Sequence, residues 1–385
     1  MKTHPWITFE IDLRQLQPLT WIALGEAQSK SQHLAGVALK PESAAELLRI
    51  FLAKGVHATT AIEGNTLSEQ QVRDRIEGKE VVPKSQRYLQ TEVDNVLRLS
   101  NSIANDVAKN GGVDIAIESI CQYNQELLAE LELDDHVSPG KFRKMVVGVS
   151  DYRAPEAKFL DGLMEQFCNW MNGSNFRPPD PNQKIAFGVI KAIVAHLYLA
   201  WIHAFGDGNG RTARAMEVRI LMEAGVPMTA AHLLSNHYNQ TRTEYYRQLS
   251  RASKSGGDIK PFLSYSIDGF VDQLRSQIEI VREYQFNMAW ENYVYDKFGK
   301  NKSFSDKRQI KLLLALSSYG DWIERVQLRR LNVEIVEEYS SKTGKTLTRD
   351  LNRLVIEGLV IKSGNRVKAN KSMILAFLPT QHAGD

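Results

Sequence analysis

The sequence predicts a mainly helical protein of 385 residues: a long helical body with one short β-hairpin, then a smaller C-terminal module of helices and two strands. Three observations carry that expectation. From Pro41 onward apolar residues recur at helical spacing, as in Ala44, Ala45, Leu47, Leu48, Phe51, Leu52 and Val56. Met145-Val146-Val147-Gly148-Val149 is the only clear strand-like run in the first 300 residues. Beyond Phe304 three short helical patterns give way to two apolar runs, Gly358 to Ile361 and Met373 to Leu378, around the turn residues Ser363-Gly364-Asn365.

Composition bounds the function classes. The chain is long enough for two or three domains with substantial cores, and its 43% hydrophobic and 24% charged residues are those of a globular protein rather than a disordered one. Two cysteines, Cys121 and Cys168, exclude a disulfide framework and fit a reducing, cytoplasmic setting. The opening Met1-Lys2-Thr3-His4-Pro5-Trp6 lacks the apolar core of a signal peptide. Ile185 to Phe205, the most apolar stretch, is broken by Lys191, His196 and His203, so a buried helix is expected and no membrane partner. Net charge is +3, yet residues 301 to 378 hold 15 Lys and Arg against 8 Asp and Glu. Basic character is concentrated at the C-terminal end.

In chain order, residues 1 to 40 read as an arm and a packed helix. The stripe from Pro41 stops at Gly64, a C-terminal cap. Ser68 and Gln71 form a capping box for the next helix, which runs through Arg75. Tyr88 to Asn105 and Ile115 to Leu131 follow as helices, separated by the turn Asn110-Gly111-Gly112. The strand-like run comes next, then a helix from Phe159 to Met171, the rigid loop Arg177-Pro178-Pro179-Asp180-Pro181, and a central buried helix from Gln183 to Ile202. His196 is expected to be a satisfied core histidine. Thr212 to Ala224 and Pro261 to Gln285 complete the helical body.

Chemistry concentrates between the last helices of this series, in His203-Ala204-Phe205-Gly206-Asp207-Gly208-Asn209-Gly210-Arg211-Thr212-Ala213-Arg214. The string offers one base, one carboxylate for a metal, glycines that let backbone N–H groups approach an anion, and two arginines. A loop between two helices puts those amides at the N-terminus of the second, where partial positive charge collects and phosphate binds. Arg211 and Arg214, three apart, share a first turn and can grip different phosphates of one nucleotide. An EF-hand is excluded, since Arg211 and Thr212 stand where a ligand and glycine are needed. A dinucleotide fingerprint is excluded by its glycine spacing, and Gly344-Lys345-Thr346 is no P-loop because Tyr339 occupies the first glycine position.

The string resembles the signature of the Fic family, His-Pro-Phe-x-Asp/Glu-Gly-Asn-Gly-Arg-x-x-Arg, with eight positions matched in register. The resemblance implies transfer of AMP from Mg-ATP to a Ser, Thr or Tyr hydroxyl of a protein. It assigns His203 as the base, Asp207 as the Mg²⁺ ligand, Phe205, Gly206, Gly208, Asn209 and Gly210 to the loop that cradles the phosphates, and Arg211 and Arg214 to the outer phosphates. Ala204 departs from the family's proline and gives up some backbone restriction. Thr59, Glu63 and Gly64 resemble the family's inhibitory motif, Ser/Thr-x-x-x-Glu-Gly/Asn, which implies that Glu63 pairs with Arg214 and restrains ATP seating. Met145 to Val149 resembles the family's target-docking hairpin. Tyr238 and Tyr246 are expected near the adenine.

Residues 304 to 379 resemble a winged helix whose third helix contains Thr348-Arg349-Asp350-Leu351-Asn352-Arg353-Leu354. Arg349 and Arg353, four apart on one face, are placed to meet phosphates or base edges of DNA, diluted by Asp350 and Glu357, with protein contacts as the equal alternative for such a module. The expected domains are an N-terminal helical region (1–95, with the inhibitory motif at 59–64), a core (96–285), a linker (286–303) and the winged helix (304–379). Self-modification and a homodimer stay open. So do a DNA-binding regulator whose core senses nucleotide, a different donor, and removal of AMP.

Overall fold

The computed structural model describes residues 3–80, 82–149, 152–300 and 302–375. It is mainly helical and divides into two units, Met1–Ile280 and Val281–Asp385. The expected separation of 1–95 from 96–285 is absent, because the helices of both ranges share one apolar core.

The first unit begins with an irregular arm and α1 (Pro18–Ala35), then α2 (Pro41–Ile62) and α3 (Glu69–Ile76). Pro41 occupies the first turn of α2, where a missing N–H costs nothing, and Leu47, Phe51, Leu52 and Val56 form its buried stripe. Ser68 and Gln71 close the capping box of α3 reciprocally, as the sequence predicts. Next come α4 (Arg87–Asn110) and α5 (Ile117–Leu127), followed by a two-stranded hairpin of β1 (Gly148–Val149) and β2 (Tyr152–Arg153). The hairpin is shorter than the run Met145–Val149 suggested: Met145 and Val146 are exposed and outside any strand, so no ladder partner holds them extended. Residues 150 and 151, between the strands, lie outside the described residues.

Around the centre are α6 (Leu160–Asn172), α7 (Lys184–Ile202), α8 (Asn209–Glu223), α9 (Met228–Ala231), α10 (Leu233–Gln240) and α11 (Arg242–Lys254). α7 is buried on nearly every face, which is why its sequence shows no polar stripe. Helix Pro181–Ile202 is long and apolar enough to cross a membrane, but 89% of its apolar window is buried inside the protein. α7 and α8 pack closely because Gly188 has no side chain; a Cβ there would fall 2.2 Å from that of Ala224. His196 is fully buried and bonded to the Tyr245 hydroxyl at 2.8 Å, the core role expected of it.

The division between units falls within α12 (Lys260–Lys297). Beyond it lie α13 (Phe304–Tyr319), β3 (Ile323–Glu324), α14 (Val333–Ser340), α15 (Gly344–Ile356), β4 (Val360–Ser363) and β5 (Arg366–Ala369). The strands form one antiparallel sheet in the order β3-β5-β4. The expected strand at Met373–Leu378 is replaced: β5 lies earlier, its tight turn formed by Gly364-Asn365, and residues 371–374 make a short 3-10 turn. Residues 376–378 of that expectation lie outside the described residues. A second core, around Trp290, Leu313, Leu316, Leu351, Leu354 and Val367, holds this unit.

Asp350, expected on the surface, is 1% exposed. Arg308 grips it bidentately at 2.7 and 3.1 Å, and the Tyr339 hydroxyl donates to it at 2.9 Å. Burial pushes its carboxyl up, but these donors win and hold it below the usual carboxylate range. Removing one partner of a buried pair strands the other's charge, at roughly 3 kcal/mol. Arg308→Ala should therefore lower amide hydrogen-exchange protection across α13 and α15 by about 100-fold, while α7 keeps its protection; equal protection in both proteins would show that Asp350 does not depend on this pair.

Candidate functional site

The site is built where α7 ends and α8 begins. His203 caps α7 in the left-handed conformation, with φ 48° and ψ 57°. For a residue with a Cβ that conformation costs about 1–2 kcal/mol, so surrounding contacts must hold it. They come from the segment between α5 and α6. Arg143 is buried; its Nε donates to the His203 carbonyl at 2.8 Å and its other nitrogens to the carbonyls of Met145 and Pro155, both at 2.6 Å. The Arg143 backbone N–H donates to the Ala204 carbonyl at 3.0 Å, and the Tyr152 hydroxyl donates to Trp201 at 2.6 Å. Three bonds to the backbone of 201–204 thus supply a restraint that Ala204 cannot.

Downstream, Asn209 accepts from the Phe205 N–H and donates to the Phe205 carbonyl, both at 2.9 Å. That reciprocal pair folds the loop back on itself and spends the Asn209 amide internally. Gly208, at φ 75°, is the N-cap of α8. Asn124 of α5 donates to the Asp207 carbonyl at 2.9 Å and fixes the loop from the other side. The first N–H groups of a helix have no intrahelical acceptor, so the turn beginning at Gly208, Asn209 and Gly210 is an anion cradle.

These elements wall a cleft of about 580 Å³. His203, Gly206 to Gly210, Glu63 and Arg214 line it, with Tyr152, Tyr245, Tyr246, Leu249, Ser250 and Ser253. Burial drives the His203 imidazole from 6.5 down to about 4, opposed by its bond to the Ala200 carbonyl and by the nearby carboxylates of Glu63 and Asp207. The ring is therefore a neutral proton acceptor at pH 7.

Arg214 is fully buried and its charge is answered from α2. Its guanidinium donates to Glu63 Oε1 at 2.6 Å, to the Thr59 hydroxyl at 2.7 Å and to the Thr59 carbonyl at 3.0 Å. Burial pushes the Glu63 carboxyl up, but Arg214, assisted by Arg211, holds it below its ordinary value. The Glu63 side chain is 29% exposed, so this carboxylate stands in the cleft rather than in the core. A Cβ at Gly210 would fall 2.3 Å from Glu63 Oε1, so a side chain there would displace this carboxylate.

Several expected positions are placed differently. Tyr238 is fully buried, donating to Glu217 at 3.0 Å, and does not line the cleft; its neighbour in the ring stack, Tyr245, does. Tyr246 is 41% exposed and lines the cleft. Phe205 is core, paired with Phe142. Arg211 is turned away from the lining and held by Glu92 at 2.8 Å and Asp207 at 3.3 Å. Glu92, Asn124, Arg143, Tyr152, Tyr245 and the serines of α11 escape sequence reading, because each lies in a helix or loop without a motif. Among the described residues no group of three or more His, Cys, Asp or Glu could hold a metal; Asp207, 46% exposed, shares the cleft lining with Glu63, which is engaged by Arg214.

Two outcomes follow from this geometry. The His203 ring should titrate in the folded protein near pH 4; the unfolded chain binds this proton near 6.5, so stability falls as pH drops from about 6.5 to about 4. A ring titration followed by NMR, assigned with His203→Ala, checks this, and a midpoint at or above 6.5 contradicts the burial. Arg143→Ala leaves the carbonyls of His203, Met145 and Pro155 without their donor and should cost about 2–4 kcal/mol, read as a lower thermal midpoint, with the His203 midpoint rising as water enters. Arg143→Lys should not restore either, because an ammonium lacks the planar fork.

Comparison with known proteins supports the same stretch. The Fic/DOC family model matches residues 114–221. The protein adenylyltransferase Fic of Nematostella vectensis is 32% identical over 216 residues, covering 54% of this chain and 45% of that protein. The protein adenylyltransferase fic-1 of Caenorhabditis elegans is 30% identical over 213 residues, covering 54% and 38%. The chain thus spans less than half the length of these relatives. Among solved structures, a Fic family protein from Desulfovibrio desulfuricans superposes with a TM-score of 0.57 at 19% identity, covering 92% of this chain and 97% of that one. A Fic-1 fragment from Caenorhabditis elegans gives 0.53 at 24% identity, covering 69% and 73%. At these identities the likeness is one of fold. Sequence signature, loop geometry and family match coincide on one segment: residues 114–221, which hold the His203 to Arg214 stretch, match the Fic/DOC family model.

Proposed function

We propose that this chain is a protein adenylyltransferase that moves AMP from ATP to a hydroxyl of a protein target and is restrained by its own Glu63. The observation that carries the reading is a neutral, buried His203 on the same cleft as the N-terminus of α8. His203 takes the proton of a Ser, Thr or Tyr hydroxyl as its oxygen bonds to the α-phosphorus and pyrophosphate leaves. Positioned bases of this kind contribute about 10²–10⁴-fold. The N–H groups opening α8 and the Arg214 guanidinium hold phosphate oxygens, and amides fixed in place by Asn209 and Asn124 need no reorganisation to do so. A simple nucleotide sensor has no use for such a base.

Mg²⁺ fits the donor set. It is commonly held by one or two carboxylates plus substrate phosphates, and Asp207 is one exposed carboxylate beside the phosphate cradle. When bound it would neutralise phosphate charge. Tyr246 and the serines of α11 supply an apolar and polar wall suited to a base. Restraint by Glu63 is supported by its 2.6 Å bond to Arg214: while it stands there, a phosphate oxygen cannot. Target backbone is proposed to add to the β1–β2 hairpin. Self-modification and a homodimer stay open within this reading. The free cysteines Cys121 and Cys168 support a reducing, cytoplasmic setting. Duplex DNA on residues 304–379 involves other side chains and is independent of the cleft.

Incubation of the protein with a cell lysate and Mg-ATP labelled at the α-phosphate tests the reading. Glu63→Gly should raise protein labelling at least tenfold, and His203→Ala in that background should lower it by about 10²–10⁴-fold with nucleotide affinity kept within a few fold. Labelling by α-labelled CTP or GTP but not ATP would change the donor. Absence of label in every variant despite ATP binding would overturn AMP transfer.

A further inference from the structure

The second unit holds a cavity of its own, about 300 Å³ in volume, where the C-terminal end of α13 meets the sheet and the 3-10 turn at 371–374. Its apolar lining comes from Leu316 on α13, Ile361 on β4 and Ala369 on β5, together with the half-buried indole of Trp322. Lys368 and Lys371 bring the charge. The neutral polar groups of the lining are already engaged with the protein. Ser317 accepts from Trp290 Nε1 and donates to the Leu313 carbonyl, both at 2.7 Å. Asn370 donates to the Gly358 carbonyl and accepts from Ser372, both at 2.8 Å. The two ammoniums are engaged far less. Lys371 Nζ donates to the neutral amide of Asn287 at 3.0 Å and makes no ion pair among the described residues, so N–H donors remain for a ligand. Lys368 reaches Asp321 only at 3.8 Å, and that carboxylate is 79% exposed, so the pair contributes little. Burial pulls the Lys371 ammonium below its ordinary value; the exposed Glu283 carboxylate opposes that, and the charge of Lys368 adds to it.

Two like charges on one partly apolar cavity repel each other, and an anion seated between them turns that repulsion into two charge-assisted hydrogen bonds. We propose that this cavity binds a small aromatic carboxylate, its ring against Trp322 and the apolar lining and its carboxylate between Lys368 and Lys371. Each part of the lining calls for one part of that ligand. Small-molecule sites are mostly apolar with a few placed polar groups and measure about 300–1,000 Å³, so this cavity is sized for a ligand of one ring. A planar ring gains both apolar contact and offset stacking on an indole. A free inorganic anion would leave the apolar lining unused, and a neutral aromatic would leave both ammoniums without a counter-charge. A nucleotide is the poorer occupant, because the cleft of the first unit, at about 580 Å³, offers nearly twice the room. The site is independent of AMP transfer and of the outer face of α15.

The test uses the full chain and fluorine NMR with 4-fluorobenzoate as the probe, beside 4-fluorobenzyl alcohol and 4-fluorobenzylamine as its neutral and cationic counterparts. The carboxylate should bind saturably at one site per chain with a Kd below about 1 mM, and the alcohol and the amine at least tenfold more weakly. Lys371→Met should weaken the carboxylate about tenfold, the order expected for one charge-assisted hydrogen bond. Lys371→Arg should keep affinity within about threefold, since the charge and its donors are retained, which a merely structural lysine would not require. Trp322→Leu should weaken the carboxylate and the alcohol alike, because it removes the stacking surface and leaves the charge. Lys362→Ala, on an exposed hairpin residue that does not line the cavity, should change nothing, and circular dichroism confirms folding of each variant. Absence of saturable binding, equal affinity for the alcohol, or affinity unmoved by both Lys371→Met and Lys368→Met would each overturn the proposal.

Discussion

The site depends on a single backbone reversal. For a buried helix to end and a new helix to begin within seven residues, one residue must take a left-handed conformation, and here it is His203, whose Cβ makes that unfavourable. The same turn brings the imidazole to the wall of the cleft that Gly208 and Gly210 also line. Arg143 and Tyr152 hold the turn by its carbonyls, which bypasses the side chain; among the described residues the ring itself bonds only through Nδ1, to the Ala200 carbonyl at 3.4 Å. Backbone strain, base placement and anion site are therefore one feature, and the hairpin segment is part of it.

Charge balance is the second constraint. Arg214 is buried beyond reach of water, so its guanidinium needs acceptors in every state of the protein. Thr59 supplies two from the α2 end and Glu63 a third, charged one. Glu63 alone of these stands in the cleft, so it is the acceptor an anionic ligand can replace without stranding the arginine. Arg211 has the opposite arrangement, held between Glu92 and Asp207. Glu92 also accepts from Asn65, two residues beyond Glu63, so the chain after α2 is tied to both arginines.

The same accounting explains the second unit. Asp350 and Arg308 neutralise each other inside the core, Lys311 answers α14, and Arg353 answers Asp306 and Glu357. Lys345 and Arg349 on α15 and Lys362 and Arg366 at the hairpin make no ion pair among the described residues. Pairwise bookkeeping of charges, rather than the net +7 of the segment, decides which cations are available to a partner.

Sequence by itself determined the helical class, the central buried helix, the capping box at Ser68, the place of the His203 to Arg214 stretch between two helices and the contact of Glu63 with Arg214. These are legible because each is local: a period of 3.6, a cap spacing of three, or a motif whose residues sit within one turn. Tertiary structure alone decided the rest. Tyr238 and Tyr245 have the same chemistry, lie on helices near the cleft and are both buried, yet only Tyr245 reaches the wall. Arg143 and Asn124 act through backbone carbonyls of residues far along the chain, and a carbonyl leaves no trace in sequence. Asp350 reads as surface acid until its helix is docked, because a period gives the face of a helix but not which buried partner a polar side chain on that face will meet.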